Sequence, residues 1–449
     1  MPSLHYNLSR TNDLEYIPSP DLMIIRTEAP AEPESILVKA GYIRDIDYLP
    51  VDDYPEASAE VFRVMGPEPA TSRDQIKATV RAMADVSLIY IGTILQRSDT
   101  GSYQIYTGNI YIQFTPETTS AFIQAIFSEY DLEEKRRLYM AEVAYFARFK
   151  DELELGRGIF DRCRQLLTLP NIISCYPEMV VKRKSLPNDA VRSLLSGIDP
   201  GWAASMIQLD IAWTLTRGKG STICIIDDGI DLHHLAFQGD KIVETIDLLD
   251  TRQDASHKYM TEWHGTACAS IAASRDDKAI GVAPEAKLMI ARCKGLGSVH
   301  EAEAILWAAD NGADIISCSW GPPDGQINDI TDDAISYILP DHTRLALQKA
   351  ATYGRNSKGC PIFFAAGNGA EPVKYDGYAS NEFVMAIGAV NKEGYLTRYS
   401  DRGDPLFCCF PSSEVLLGRD GSITTIYGLS AADRLGPSGI DPGDYTNSF

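Results

Sequence analysis

Between residues 221 and 391 the chain repeats one pattern, a short uninterrupted apolar run followed by a helix-like stretch. The runs are STICIIDDGID, AKLMIARC, ADIISCSWG, CPIFFAAGNG and EFVMAIGAVN. Among them stand HGTACASIAAS, HEAEAILWAADNG and TRLALQKAATYG, with Gly312 placed as a C-cap. Strands that are apolar on both faces must be covered on both, and strands joined by helices run parallel. Residues 206–449 are therefore read as an α/β domain, a parallel sheet with helices on both faces. In such sheets reactive groups gather beyond the carboxyl ends of the strands.

The first 183 residues carry a different pattern. LMIIRT reads as a strand, an apolar-periodic stretch follows it as the first helix, IRDIDYLP and AEVFRVM read as strands, SRDQIKATVRAMADV as a helix capped by Thr71 or Ser72, and SLIYIGTIL as a closing strand. The order recurs from residue 109. NIYIQF is followed by the helix PETTSAFIQAIFSEY, with Pro116 in its first turn, then by EKRRLYM, VAYFARF, the helix GRGIFDRCRQLLTLP and the strand NIISCYPEMVV. β-α-β-β-α-β is the split βαβ order of a ferredoxin-like fold, so two small α+β units are expected, at 14–100 and 108–183. Residues 184–205, rich in charge, Pro and Gly, read as a linker.

Of the 449 residues, 45% are hydrophobic and 23% charged, which fits packed cores. The net charge of −21 argues against nucleic acid as a partner. No apolar run is long enough to span a membrane, and the N-terminus has no secretory pattern. The nine cysteines include no CxxC pair and several sit inside apolar runs, so reduced thiols and a cytoplasmic location are expected.

Three residues stand where chemistry would be done. Asp227 ends an apolar strand, where a rigid carboxylate can orient an imidazole, although Asp-Asp-Gly is also a turn sequence. His264 opens a helix of small residues and is placed for general acid–base work. Asn368, in Ala-Ala-Gly-Asn-Gly, can donate to an oxyanion or simply form a left-handed turn.

In this order, IIDDGID, HGTACA, GVAPEAKL, ADIISCSWGP and FFAAGNG resemble the subtilisin-like serine protease superfamily over about 205–449. DDGID, SCSWGP and YDGYAS resemble its kexin and proprotein convertase branch and their bacterial relatives. The resemblance implies a serine endopeptidase with Asp227 as triad acid, His264 as base and Asn368 as oxyanion donor. It implies a peptide or protein substrate added as a strand along Ser319-Trp320-Gly321. Asp324 and Asp376 match acids of an S1 pocket, and Asp228 an acid facing S2, which together imply a basic P1 residue. Asp401 matches one ligand of a calcium site, although the loop between Asn368 and Asp376 is shorter than in the eukaryotic enzymes. The unit at 108–183 resembles a subtilisin prodomain, which implies an intramolecular contact with the cleft.

The superfamily's nucleophile lies in a Gly-Thr-Ser segment. The last residues, DYTNSF, resemble the approach to it, but no Gly-Thr precedes Ser448. The expectation is thus a C-terminally incomplete catalytic domain, truncated before its nucleophile and inactive as written. The alternative is a non-catalytic peptide-binding or inhibitory pseudoprotease.

Overall fold

The computed structural model describes residues 4–9, 12–27, 37, 48–54, 59–65, 68–82, 88–97, 103–138, 141–150, 154–155, 157–180, 201–249, 253–293, 297–322, 337–417, 423–426, 428–447 and 449. The chain divides into two units. One is Met1–Lys182 with Gly295–Val299 and Pro340–His342, and the other is the remainder.

The first unit is built on strands β1 (Leu4–Ser9), β2 (Asn12–Thr27), β3 (Tyr48–Tyr54), β4 (Ala59–Val64), β5 (Leu88–Arg97), β6 (Tyr103–Phe114), β7 (Leu132–Leu138), β8 (Ala144–Phe149), β9 (Glu154–Leu155) and β10 (Ile172–Val180). They form one sheet, β3-β4-β2-β5-β6-β8-β7, with β1 on β2, β9 on β5 and β10 on β6. Within each expected half the fourth strand pairs with the first, the first with the third and the third with the second, which is the ferredoxin-like order. The halves join where Leu95 and Gln96 of β5 pair with Gln104 and Tyr103 of β6.

Helices α1 (Pro69–Ala82), α2 (Ser120–Glu129) and α3 (Arg157–Leu167) belong to this unit. Ile76 and Val80, one turn apart on α1, share a core with Met23 and Ile25 of β2, Phe62 and Val64 of β4, and Ile91 of β5. Two expected helix starts shift. α1 begins at Pro69, a residue suited to a first turn, so Thr71 and Ser72 lie inside it. α2 begins at Ser120, because the Thr119 hydroxyl accepts the Phe122 N–H and sets the cap there. Pro116 lies in the preceding turn.

The second unit holds the expected parallel sheet. Its strands are β11 (Thr222–Asp227), β12 (Ile242–Asp247), β13 (Lys287–Arg292), β14 (Ile315–Cys318), β15 (Ile362–Ala365), β16 (Met385–Val390) and β17 (Leu406–Pro411). Their order is β12-β13-β11-β14-β15-β16-β17, every pair parallel. Two short helices, α4 (Trp202–Met206) and α5 (Leu209–Leu215), precede it, and α6 (His264–Ala273), α7 (Ser298–Asp310) and α8 (Asp341–Ser357) are interleaved with its strands. The expected linker lies outside the described residues except for 201–205, which include most of α4.

α6 packs through Ala269 and Ala273 onto Ile225, Ile230, Leu288 and Ile290. Its small residues allow this approach. A Cβ on Gly265 would lie 2.1 Å from the Gly229 carbonyl oxygen, so only glycine fits under the first turn. Asp227, Ser319 and Asn368 follow or end three adjacent parallel strands, β11, β14 and β15, at their carboxyl ends. Among the described residues no helix is long and apolar enough to cross a membrane.

Candidate active site

Asp227 is buried at the end of β11 and its carboxylate faces the first residue of α6. The His264 Nδ1–H donates to Asp227 Oδ1 at 3.0 Å and to Oδ2 at 3.1 Å. The Asp228 N–H also donates to Asp227 Oδ1, at 2.8 Å, and fixes the carboxylate plane. Desolvation lowers the His264 pKa, but the Asp227 charge and hydrogen bond, together with Cys268, raise it, and the net shift is well above the usual imidazole range. A carboxylate that stabilises the imidazolium and holds Nδ1–H leaves Nε2 as the nitrogen for proton exchange.

Asp228 does work that the sequence does not show. Its Oδ2 accepts the N–H groups of Trp263 (3.1 Å) and His264 (3.2 Å), and its Oδ1 that of Gly265 (2.8 Å). Those are unpaired donors at a helix N-terminus, and a buried anion there satisfies them and complements the helix dipole. Asp228 thereby anchors the end of α6 that carries His264. Beside it, the His257 ring bridges the Asp228 carbonyl (3.3 Å) and the Thr266 hydroxyl (2.7 Å), and burial holds its pKa low, in the neutral form such a bridge needs.

A buried ion network braces the approach to His264. Arg292, the register partner of Asp227 on β13, pairs with Asp247 at 3.2 Å and with Glu262. Glu262 Oε2 in turn accepts the Tyr259 N–H at 3.1 Å, which fixes the turn before Trp263. Breaking one partner of such a pair leaves an uncompensated buried charge.

Along the neighbouring strand ends, the Trp320 indole N–H donates to the Ile226 carbonyl at 2.6 Å, and its ring packs edge-on to Phe364 and Tyr378. Ser319 follows β14, the strand that pairs with β11. Asp376 is buried, and its Oδ1 accepts the N–H groups of Tyr378 (2.7 Å) and Ala379 (3.1 Å). A Cβ on Gly321 would lie 2.9 Å from Asp376 Oδ2, so the structure brings Asp376 against the Ser319–Gly321 edge. Asp324 and Ser448 lie outside the described residues. The Phe449 ring centroid is 5.4 Å from that of His264.

Asn368 stands between two glycines tied to Asp401. Asp401 Oδ1 accepts the Gly369 N–H at 2.9 Å and the Glu371 N–H at 3.0 Å, and the Asp401 N–H donates to the Gly367 carbonyl. Gly367, at φ +115°, makes the turn that a side chain would strain. Asp401 is thus a brace of the Asn368 loop. Among the described residues it joins no group of three His, Cys, Asp or Glu ligand atoms, whereas a calcium cage needs about six oxygens.

The model of the subtilase family matches residues 218–409. The chain belongs to the subtilisin-like superfamily. This subtilase is 37% identical over 416 residues to a calcium-dependent protease of Trichormus variabilis, a match covering 88% of the chain and 61% of that protein. So long an alignment necessarily runs into the first unit. The kexin of Saccharomyces cerevisiae is 31% identical over 215 residues, 45% of this subtilase and 25% of the kexin. Among solved structures, the epidermin leader peptide processing serine protease of Staphylococcus aureus aligns with a TM-score of 0.51 at 18% identity, over 69% of this chain and 76% of that one, and supports the fold. The chain spans about three fifths of the length of the calcium-dependent proteases it matches.

Cys268 and Asp228's hold on α6 are what sequence reasoning missed. Cys268 stands four residues after His264, one helical turn on, and that spacing is the signal that points to it.

Proposed function

We propose that this chain carries the acid, base and oxyanion elements of a serine endopeptidase that cleaves after basic residues. The observation carrying the reading is the Asp227–His264 bond at the carboxyl edge of a parallel sheet, beside the Ser319–Gly321 edge. His264 takes the proton of a serine nucleophile at Nε2 and returns it to the leaving amine, while Asp227 holds the tautomer. Asn368 donates to the oxyanion. A substrate strand adds along Ser319–Gly321, and Asp376, with Asp324, draws the P1 cation. The ferredoxin-like order of the first unit, ahead of the catalytic unit in the chain, supports a prodomain role for it.

Calcium binding is supported by the name of the Trichormus relative and by the match of Asp401 to a ligand position. The test is a calcium titration of thermal unfolding, where an unchanged Tm removes Asp401 as a ligand. None of the nine cysteines is in a disulfide, which supports a reducing, cytoplasmic location that cell fractionation can check.

The deciding experiment uses the whole product of the native locus and a matched pair of fluorogenic peptides with Arg or Ala at P1. Faster cleavage of the Arg peptide, blocked by a serine-directed fluorophosphonate, is expected. The 449-residue chain alone is expected to give no turnover, because it contains no Gly-Thr-Ser segment. Peptide binding without serine labelling in the whole product would overturn the protease reading and leave a pseudoprotease that presents the same edge.

A further inference from the structure

His257 is a second histidine close to the site, and the catalysis proposed above does not use it. Its side chain is 3% exposed. The ring lies 3.3 Å from the Asp228 carbonyl at Nδ1 and 2.7 Å from the Thr266 hydroxyl at Nε2. A carbonyl only accepts, so Nδ1 carries the proton and the Thr266 hydroxyl donates to Nε2. The same hydroxyl oxygen, fully buried, accepts the Asp231 N–H at 2.9 Å. The Asp228 carboxylate stands next to the ring. Its Oδ1 lies 3.8 Å from His257 Nδ1 and accepts the Gly265 N–H at 2.8 Å, while its Oδ2 accepts the N–H groups of Trp263 and His264. One carboxylate thus separates the His257 ring from the backbone that carries the His264 ring.

We propose that His257 is a positioning residue for His264: as a neutral ring it leaves Asp228 on the first turn of α6, and as a charged ring it draws Asp228 off. The proton taken up from solvent goes to Nε2, the nitrogen that lacks one. Nε2 then becomes a donor, and the Thr266 hydroxyl loses its acceptor inside the protein, which is costly. Nδ1–H now carries positive charge, and a carboxylate is a stronger partner for it than a carbonyl. Asp228 Oδ1 reaches Nδ1 only by leaving the Gly265 N–H. The first turn of α6 loses its anchor, and His264 loses its setting against Asp227.

Among the described residues, the charged groups that face the His257 ring are Asp228, Glu262 in the turn before α6, and Arg434. Burial is the largest influence and holds the His257 pKa below the usual 6.5, the two carboxylates oppose it, and Arg434 adds to it. His264 is shifted the other way, so it is already charged when His257 begins to take up its proton. The role given to His257 rests on the pairing of His264 with Asp227. An unsubstituted chain with no hydrogen-bonded His264 Nδ1–H signal at pH 7 would sink both, whereas a signal indifferent to the charge on His257 would sink the role of His257 alone.

The test uses the full 449-residue chain, labelled throughout with nitrogen-15 and followed by NMR from about pH 7.5 to about pH 4.5, where histidines titrate. The His264 Nδ1–H is expected as a downfield signal at the upper end. It is expected to lose at least about half its intensity as the His257 ring titrates, although His264 itself stays charged. Protection of the Gly265 amide against hydrogen exchange is expected to fall about tenfold over the same step. His257→Gln offers an N–H and an oxygen to the same partners without a proton to gain, and is expected to keep both the signal and the protection. A signal that persists in the unsubstituted chain once His257 is charged would overturn the proposal. So would a Gln variant that loses it at the same pH, or a His257 ring that stays neutral throughout. If the variant misfolds, the unsubstituted chain decides: the midpoints of the His257 titration and of the His264 signal loss must coincide.

Discussion

Two imidazoles, one in each unit, show how differently the two regions use a buried histidine. In the first unit His342 is fully buried, with the Tyr176 hydroxyl 2.6 Å from Nδ1 and the Ser298 hydroxyl 3.0 Å from Nε2. Its partners are neutral, and desolvation pushes its pKa down to about 4. In the second unit His264 meets a carboxylate and is partly open to solvent, and its pKa rises instead. Burial alone therefore does not set the protonation state; the charge of the nearest partner does. A neutral, doubly bonded imidazole is a structural pin. An imidazole whose second nitrogen stays accessible and whose cation is stabilised can move protons.

The sharpest way to break this contrast is to remove the carboxylate. In the whole locus product, Asp227→Asn is expected to lower kcat by about 10⁴-fold, because the tautomer and the stabilising charge are both lost. In the present chain the same substitution should lower the His264 pKa, read from its ring signals in an NMR titration, and an unmoved pKa would sink the assignment. Next in size is the anchor of α6. Asp228→Ala strands three N–H groups in a buried site and should cost about 3 kcal/mol in urea unfolding, whereas Asp228→Asn, which keeps an acceptor, should cost less than half as much.

His342 supplies a pH test of the other side. Its folded pKa of about 4 lies below the unfolded value of 6.5, so between those values only the unfolded chain takes up the proton. Its contribution is complete above pH 6.5 and is lost as pH falls toward 4, on the order of 3 kcal/mol in all. His342→Gln should flatten the difference in urea stability between pH 7 and pH 4.5, and an unchanged slope would refute the neutral pin. The smallest effect calibrates the rest. Thr119→Ala, remote in sequence from both histidines, should cost about 1 kcal/mol through the lost helix cap and leave the His264 titration unaltered.

Much of this was legible in the residues. Apolar runs such as Cys224–Ile226 and Ile315–Ile316 announce buried parallel strands, and Asp227, Ser319 and Asn368 announce their carboxyl ends. The element order of the first 183 residues announces the ferredoxin-like strand order, but not that β5 and β6 pair to join its two halves in one sheet. Helix starts drifted by a few residues because Pro and Thr both favour a first turn and only the cap bond chooses between them. Asp228 could be read from sequence only as a pocket acid, since its three N–H partners lie 35 to 37 residues away.

By itself the sequence determined which residue types stand at strand ends and at the opening of a helix, because period and chain order are local properties. It also placed Cys268 one turn beyond His264. Only the tertiary structure decided which of these side chains meet. Packing α6 on β11 through Gly265 sets Asp227, His264 and Cys268 within a few ångströms, and turns Asp228 and Asp401 toward backbone N–H groups. The physical reason is that a carboxylate's role is fixed by what lies within about 3 Å of it, and such neighbours come from distant parts of the chain.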